Sequence, residues 1–216
     1  MNGSAYTGPG SAVHPLWGRA LLLAFAVLDI AAAAWTATHL AAGGTLGNFF
    51  SYFTIQSNLI VIAVWLGVAL FDPQGERWQL VRCAATLYIV ITGVVYAVLL
   101  QKIAVGIQYP WTNDVLHRVT PLVALADWLL VPAAVGLSVR LIASLLAYPL
   151  VYGVYTLIRG PIVDWYPYPF IDPRDKGYVS MSIGLVFLVI AFVILAVAVA
   201  ALGEMATRWR ERRSAG

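Results

Sequence analysis

The sequence predicts an all-α integral membrane protein: a bundle of six transmembrane helices with short loops and one longer outer loop rich in proline and aromatic residues. Three observations predict it. The 216 residues are 61% hydrophobic and only 11% charged, where a soluble domain carries about 25% charged residues. The apolar residues fall into blocks of the length, about 20 residues, that a helix needs to cross a hydrocarbon core. The blocks show no period-two alternation, so a barrel pattern is excluded, and backbone inside lipid must bond within its own segment, which requires helices.

In chain order, residues 1–15 are rich in Gly, Ser and Ala and predict a disordered lead-in in which His14 is incidental. The membrane domain is expected over 16–205, with blocks at Leu16–Ala41, Phe49–Phe71, Trp78–Gln101, Val115–Leu137, Val139–Ile158 and Tyr178–Gly203. Residues 206–216 form a basic tail. The first block continues well past the short apolar core of a signal peptide, so it is read as a retained span.

The net charge of +3 comes from cations at segment ends and in the tail. That placement suits membrane-flanking anchors, not a nucleic-acid surface. Six spans put both termini on one side, together with Arg19, Arg77, Arg82, Arg140, Arg208, Arg210, Arg212 and Arg213; Lys102, Arg118, Arg159, Arg174 and Lys176 fall on the other. The positive-inside rule then places both termini in the cytoplasm. The outer connections are "AGGTLGN", "KIAVGIQYPWTND" and "GPIVDWYPYPFIDPRDKG". Prolines and aromatics fit the last either to cover the outer mouth of the bundle or to lie as a plain interfacial loop. Cys83 stands alone, so it forms no internal disulfide and reads as a small buried hydrophobe.

The second block gathers its polar residues at its outer end, in "FFSYFTIQSN". At 1.5 Å per residue, Thr54 lies about 7–8 Å below the start of that helix, with Asn58 one turn deeper on the same face. His117 lies about 6 Å below the start of the fourth block, which enters from the same side. A hydroxyl and an imidazole are thus expected at nearly equal depth. Asn113, Asp114, His117 and Pro121 share a face. Pro121 has no N–H, which frees the His117 carbonyl, and freed backbone at this depth is tolerated where it lines a protein or water cavity.

Read alone, Thr54 is a helix hydroxyl bonded to its own i−4 carbonyl and His117 a satisfied interfacial histidine. Read together they make a nucleophile and a general base. Asp114 is the candidate orienter of the imidazole, or else a solvated charge. Asn58, Gln56, Ser57 and Arg118 are candidates to contact substrate or stabilise an oxyanion. Tyr96, Tyr152 and Tyr155 are candidates to line a cavity for acyl chains. His39 with His117 offers only two ligands, a poor metal site, and no metal or other cofactor is expected. Asp29 and Asp127 are expected near mid-membrane, as helix-joining polar groups, as support for the site, or on an ion path. There is no phosphate-binding glycine loop and no G-x-S-x-G elbow.

The segments "FFSYFTIQSNL", "LHRVTPLVALADW", "YPLVYGVYTLIRG" and "WYPYPFID" together resemble the androgen-induced-protein-like membrane family. The resemblance implies a six-helix membrane fold and, as for the animal members, threonine hydrolase activity on fatty acid esters of hydroxy fatty acids. The family's nucleophilic threonine falls on Thr54 and its histidine on His117. Usage rich in Ala, Val and Arg suggests a bacterial member in the plasma membrane. The expected partner is a lipid substrate drawn from the bilayer. The competing expectations are a non-catalytic lipid-binding or transport protein and a purely structural membrane partner.

Overall fold

The computed structural model describes residues 12–102 and 109–214, without the side chains of 175 and 176. Residues 1–11 of the expected lead-in and 103–108 of the second outer connection lie outside the described residues. The described chain is helical throughout, with no strand. Five helices are long and apolar enough to cross a membrane: Leu16–Thr38, Phe53–Phe71, Glu76–Leu100, Val139–Val163 and Gly177–Ser214. This is an integral membrane protein.

Helix α1 (Leu16–Thr38) follows Pro15 and turns back through Gly43, whose positive φ of 81° suits a residue without Cβ. The short α2 (Leu46–Phe49) is capped by Thr45, whose hydroxyl accepts from the Asn48 N–H at 3.1 Å. Helix α3 (Phe53–Phe71) runs back against α1, and Arg19 donates to the Ala69 carbonyl. It stops at Asp72 in the left-handed region, with Pro73 unable to continue the helix. Helix α4 (Glu76–Val95) passes directly into a π-helical turn, Tyr96–Leu100.

The fourth predicted block differs most from expectation. It begins earlier and is not one helix: α5 (Pro110–Asp114), a π-helical turn (Val115–Val119) and α6 (Thr120–Leu130) follow one another without a gap. This run carries Asp114, Arg118 and Asp127, so it is not among the five strongly apolar helices. It ends at Leu130, not Leu137, because Pro132 holds the residue before it out of the helical region: Val131 has φ −122° and ψ 67°. The π turn follows from Pro121. With no N–H at that position, the hydrogen bonding widens and the Thr120 N–H reaches back to the Val115 carbonyl. Gly93 of α4 lets the kink approach, since a Cβ there would stand 2.9 Å from the Pro121 Cβ.

Ser138 caps α7 (Val139–Val163), which extends past the predicted Ile158 despite Pro149 and Pro161. Helix α8 (Pro173–Ser214) bends at Gly177 and continues without a break into the expected basic tail as far as Ser214; residues 215–216 lie outside the described residues. Helices α3 and α4 are the most buried of the five long ones, with α7 and α8 packed outside them.

His14 is not incidental. It is 4% exposed, its N–H donates to Asp72 Oδ2, and its ring nitrogens lie 2.8 Å from Asp72 Oδ1 and 3.0 Å from Asp127 Oδ1. Arg82 donates to Asp127 Oδ2 at 2.9 Å and to the Val131 carbonyl at 3.0 Å. Asp127 therefore joins the cation of another helix near the end of the bundle where α3 ends and α4 begins, not at mid-membrane. A burial this deep needs such pairing, since a lone charge away from water is prohibitively costly. Asp29 is fully buried, and neither of its oxygens has a hydrogen-bond partner among the described residues.

Candidate functional site

The site forms where α3 begins. The first N–H groups of a helix have no partner within it, and Tyr52 at the N-cap supplies no side-chain acceptor. Two phenols from distant parts of the chain supply them instead. The Phe53 N–H donates to the Tyr152 oxygen of α7 at 3.1 Å, and the Thr54 N–H to the Tyr168 oxygen at 3.2 Å. Thr54 is thereby fixed on the second residue of a helix whose N-terminal end carries positive partial charge.

The structure brings Thr54 and His117 together. Thr54 Oγ1 lies 3.2 Å from His117 Nε2, and the two residues are 6% and 3% exposed. Thr36, Thr92, Thr156 and Thr207 each donate to the carbonyl four residues back. Thr54 does not; the Phe50 carbonyl that would receive it takes the Gln56 amide instead, at 2.8 Å. The other ring nitrogen, His117 Nδ1, is 3.2 Å from the Asn113 carbonyl. A carbonyl only accepts, so Nδ1 carries the proton and the neutral ring leaves Nε2 bare toward the threonine hydroxyl. Both π turns serve this geometry: one carries His117, and the other carries Tyr96, which stacks on the imidazole at 4.3 Å and 26°. Such π insertions are frequent at functional sites.

The other sequence candidates separate. Asp114 does not orient the imidazole. It pairs with Arg118, four residues on, and both side chains are about half exposed. A guanidinium one turn away is a better partner for a carboxylate than a ring already satisfied by a backbone carbonyl. Arg118 also lies over the Tyr96 ring at 5.6 Å, so neither it nor Asp114 reaches Thr54. Gln56 turns away, its other end accepting from Tyr148. Asn58 is fully buried and donates to the carbonyls of Thr54 at 2.7 Å and Leu116 at 3.2 Å. It ties α3 to the π turn, and both of its N–H bonds are used. Ser57 donates to the Thr54 carbonyl at 3.0 Å and lies 2.7 Å from the Thr92 hydroxyl. Tyr155 meets Ser51 at 2.8 Å, at the edge of the site. His39 stacks on Trp35 at the end of its own helix, its ring nitrogen on the Trp35 carbonyl.

Thr54 also faces a cavity of about 240 Å³, walled by α3, α4, α7, α8 and the loop between the last two. Its lining is mostly apolar, as ligand cavities are. Leu150, Val154 and Val189 line it and are also 49%, 57% and 41% exposed on the outer faces of α7 and α8. The cavity therefore opens sideways between those helices. A larger groove, about 340 Å³, lies beside His14 and Arg210; it contains no nucleophile with a base.

The Pro/aromatic loop closes one side of this cavity. Tyr168 and Ile171 are buried, Tyr168 stacks on Phe170 at 5.2 Å, and Trp165 meets Tyr52 edge-on. Arg174 binds both Asp164 and Asp172, holding the two ends of the loop. Its guanidinium keeps the Asp172 carboxyl below the usual carboxylate range. Burial pushes the Tyr168 phenol up to about 12, so it keeps its proton. Sequence reasoning missed Tyr168; its only sign was its place in "WYPYPFID".

Comparison with protein-family models, with curated proteins and with solved structures finds no match to this chain.

Proposed function

We propose that this protein is an intramembrane threonine hydrolase that cleaves lipid esters, of the type that joins a fatty acid to a hydroxy fatty acid. The observation that carries the proposal is the 3.2 Å contact between His117 Nε2 and the Oγ1 of Thr54, a residue on the wall of an apolar cavity that opens between α7 and α8. The segments that resemble the androgen-induced-protein-like family support it, since Thr54, His117 and the Tyr-Pro-Phe loop all lie within them. In this proposal the run 110–130 is the sixth membrane crossing, both termini are cytoplasmic, and the site lies in the outer half of the bilayer of a bacterial plasma membrane.

The substrate slides between α7 and α8 with an acyl chain in the cavity and its ester beside Thr54. Thr54 Oγ attacks the carbonyl carbon while His117 Nε2 takes the hydroxyl proton. The tetrahedral intermediate collapses, and the departing alkoxide leaves with the proton held by His117. An acyl-threonine remains. Water then attacks that ester, gives a proton to His117, and the free acid departs as Thr54 recovers its hydrogen. Purified protein is expected to hydrolyse a branched fatty acid ester, and Thr54→Ala or His117→Ala to lower kcat by at least about 10³. Full activity in both variants contradicts the mechanism.

A second reading, a non-catalytic lipid carrier, is favoured by the apolar cavity alone. It requires bound lipid with no turnover.

A further inference from the structure

We propose that Tyr168 is a third catalytic group, the donor that stabilises the oxyanion formed when Thr54 attacks. This rests on the threonine hydrolase proposal and adds the one part the sequence candidates leave unfilled. A nucleophile and base without an oxyanion donor lack what is often the largest contribution to acyl transfer. Each donor expected from sequence is engaged elsewhere: Asn58 on two carbonyls, Gln56 on the Phe50 carbonyl, Ser57 on the Thr54 carbonyl, Arg118 on Asp114.

Hydrogen-bond accounting singles out Tyr168. A phenol has one proton to give. Tyr152 accepts from the Phe53 N–H and gives its one proton to the Ser51 carbonyl at 2.9 Å, so it has none left to donate. Tyr168 accepts from the Thr54 N–H at 3.2 Å, and its other hydrogen-bond contact within 3.5 Å among the described residues is Thr54 Oγ1, at a long 3.4 Å, with the Tyr152 phenol beside it. It borders the same cavity as Thr54. The oxyanion and the attacking oxygen are bonded to one carbon, so a donor to one must stand close to the other, as this phenol does. In the resting site the phenol leans on the nucleophile. As the Oγ–carbon bond forms and the carbonyl π pair moves onto oxygen, His117 takes the threonine proton and the Tyr168 O–H turns to the new oxyanion. When the carbonyl re-forms, the alkoxide leaves with the proton from His117. Tyr168 keeps its own proton throughout.

The test compares Tyr168→Phe with Tyr148→Phe, reading kcat, KM, thermal stability and the rate at which a fluorophosphonate captures Thr54. Tyr168→Phe is expected to lower kcat about 10²–10³-fold with KM within a few fold, and to slow capture in parallel. Tyr148→Phe, which removes a phenol bonded to Gln56 and outside the cavity lining, is expected to keep kcat within a few fold. If Tyr168→Phe fails to fold, difluorotyrosine at position 168 keeps the shape and acidifies the phenol. An alkaline fall in kcat is then expected, because the phenolate has no proton to give; a helix-capping role alone does not produce it. Unchanged kcat in Tyr168→Phe, or no alkaline fall, overturns the role of Tyr168 while leaving the hydrolase proposal in place. A wild-type protein with neither turnover nor capture removes both.

Discussion

Asp114 shows how one sequence rule offers two partners and leaves the choice to charge. Helical spacing puts Asp114 beneath His117, three residues on, and equally beneath Arg118, four residues on. Charge decides between them, and the carboxylate goes to the guanidinium. That pair was legible in "DVLHR"; the Asn113 carbonyl that takes the imidazole proton was not, because it depends on backbone the π turn reshapes. Since the Asp114 pair is half exposed and four residues apart, it contributes only about 0.3–0.5 kcal/mol. Asp114→Asn is therefore expected to keep kcat/KM within a few fold and to leave thermal stability nearly unchanged. A loss comparable to that of His117→Ala would return Asp114 to the site.

Among the elements, the apolar blocks were readable because lipid allows a segment little besides helix. Their ends were less so. Pro132 stops α6 early, while Pro149 and Pro161 fail to stop α7; proline inside a helix is tolerated in a membrane bundle more than in water. The equal depth of Thr54 and His117 followed from rise per residue alone. The role of Tyr168 did not, because it depends on the path of the loop between α7 and α8. That loop is tied by Arg174 to Asp164 and Asp172. The Asp172 carboxyl is held below its unfolded value, near 3.9 for a free aspartate, by the Arg174 guanidinium. Its contribution is thus complete above the unfolded value and disappears as pH falls through the lowered folded value. Limited proteolysis within 164–172 is expected to accelerate below about pH 4. Asp172→Asn is expected to be cut readily at all pH values, with that acid step flattened. Equal acid sensitivity in wild type and variant contradicts the tie.

At the scale of the whole molecule, two polar centres occupy opposite ends of an apolar bundle. The end with Thr54 and His117 adjoins the open cavity. The other joins His14, Asp72, Arg82 and Asp127 from four separate parts of the chain. Of these only Asp127 was legible as a buried polar group, since pairing across 113 residues of sequence leaves no local pattern. Removing one member strands a buried charge, which costs about 3–5 kcal/mol. Asp127→Ala is expected to lower thermal stability by that order while the remaining folded fraction still captures a fluorophosphonate at Thr54. Unaltered stability would show that this end of the bundle does not hold the helices together.

The most direct measurement is mass spectrometry of the purified protein after exposure to a fluorophosphonate carrying a single acyl-like chain. A covalent adduct on Thr54, formed by the wild-type protein and absent from His117→Ala, is the predicted result. An unmodified Thr54, or labelling that persists undiminished without His117, would contradict an imidazole-activated threonine in this membrane protein.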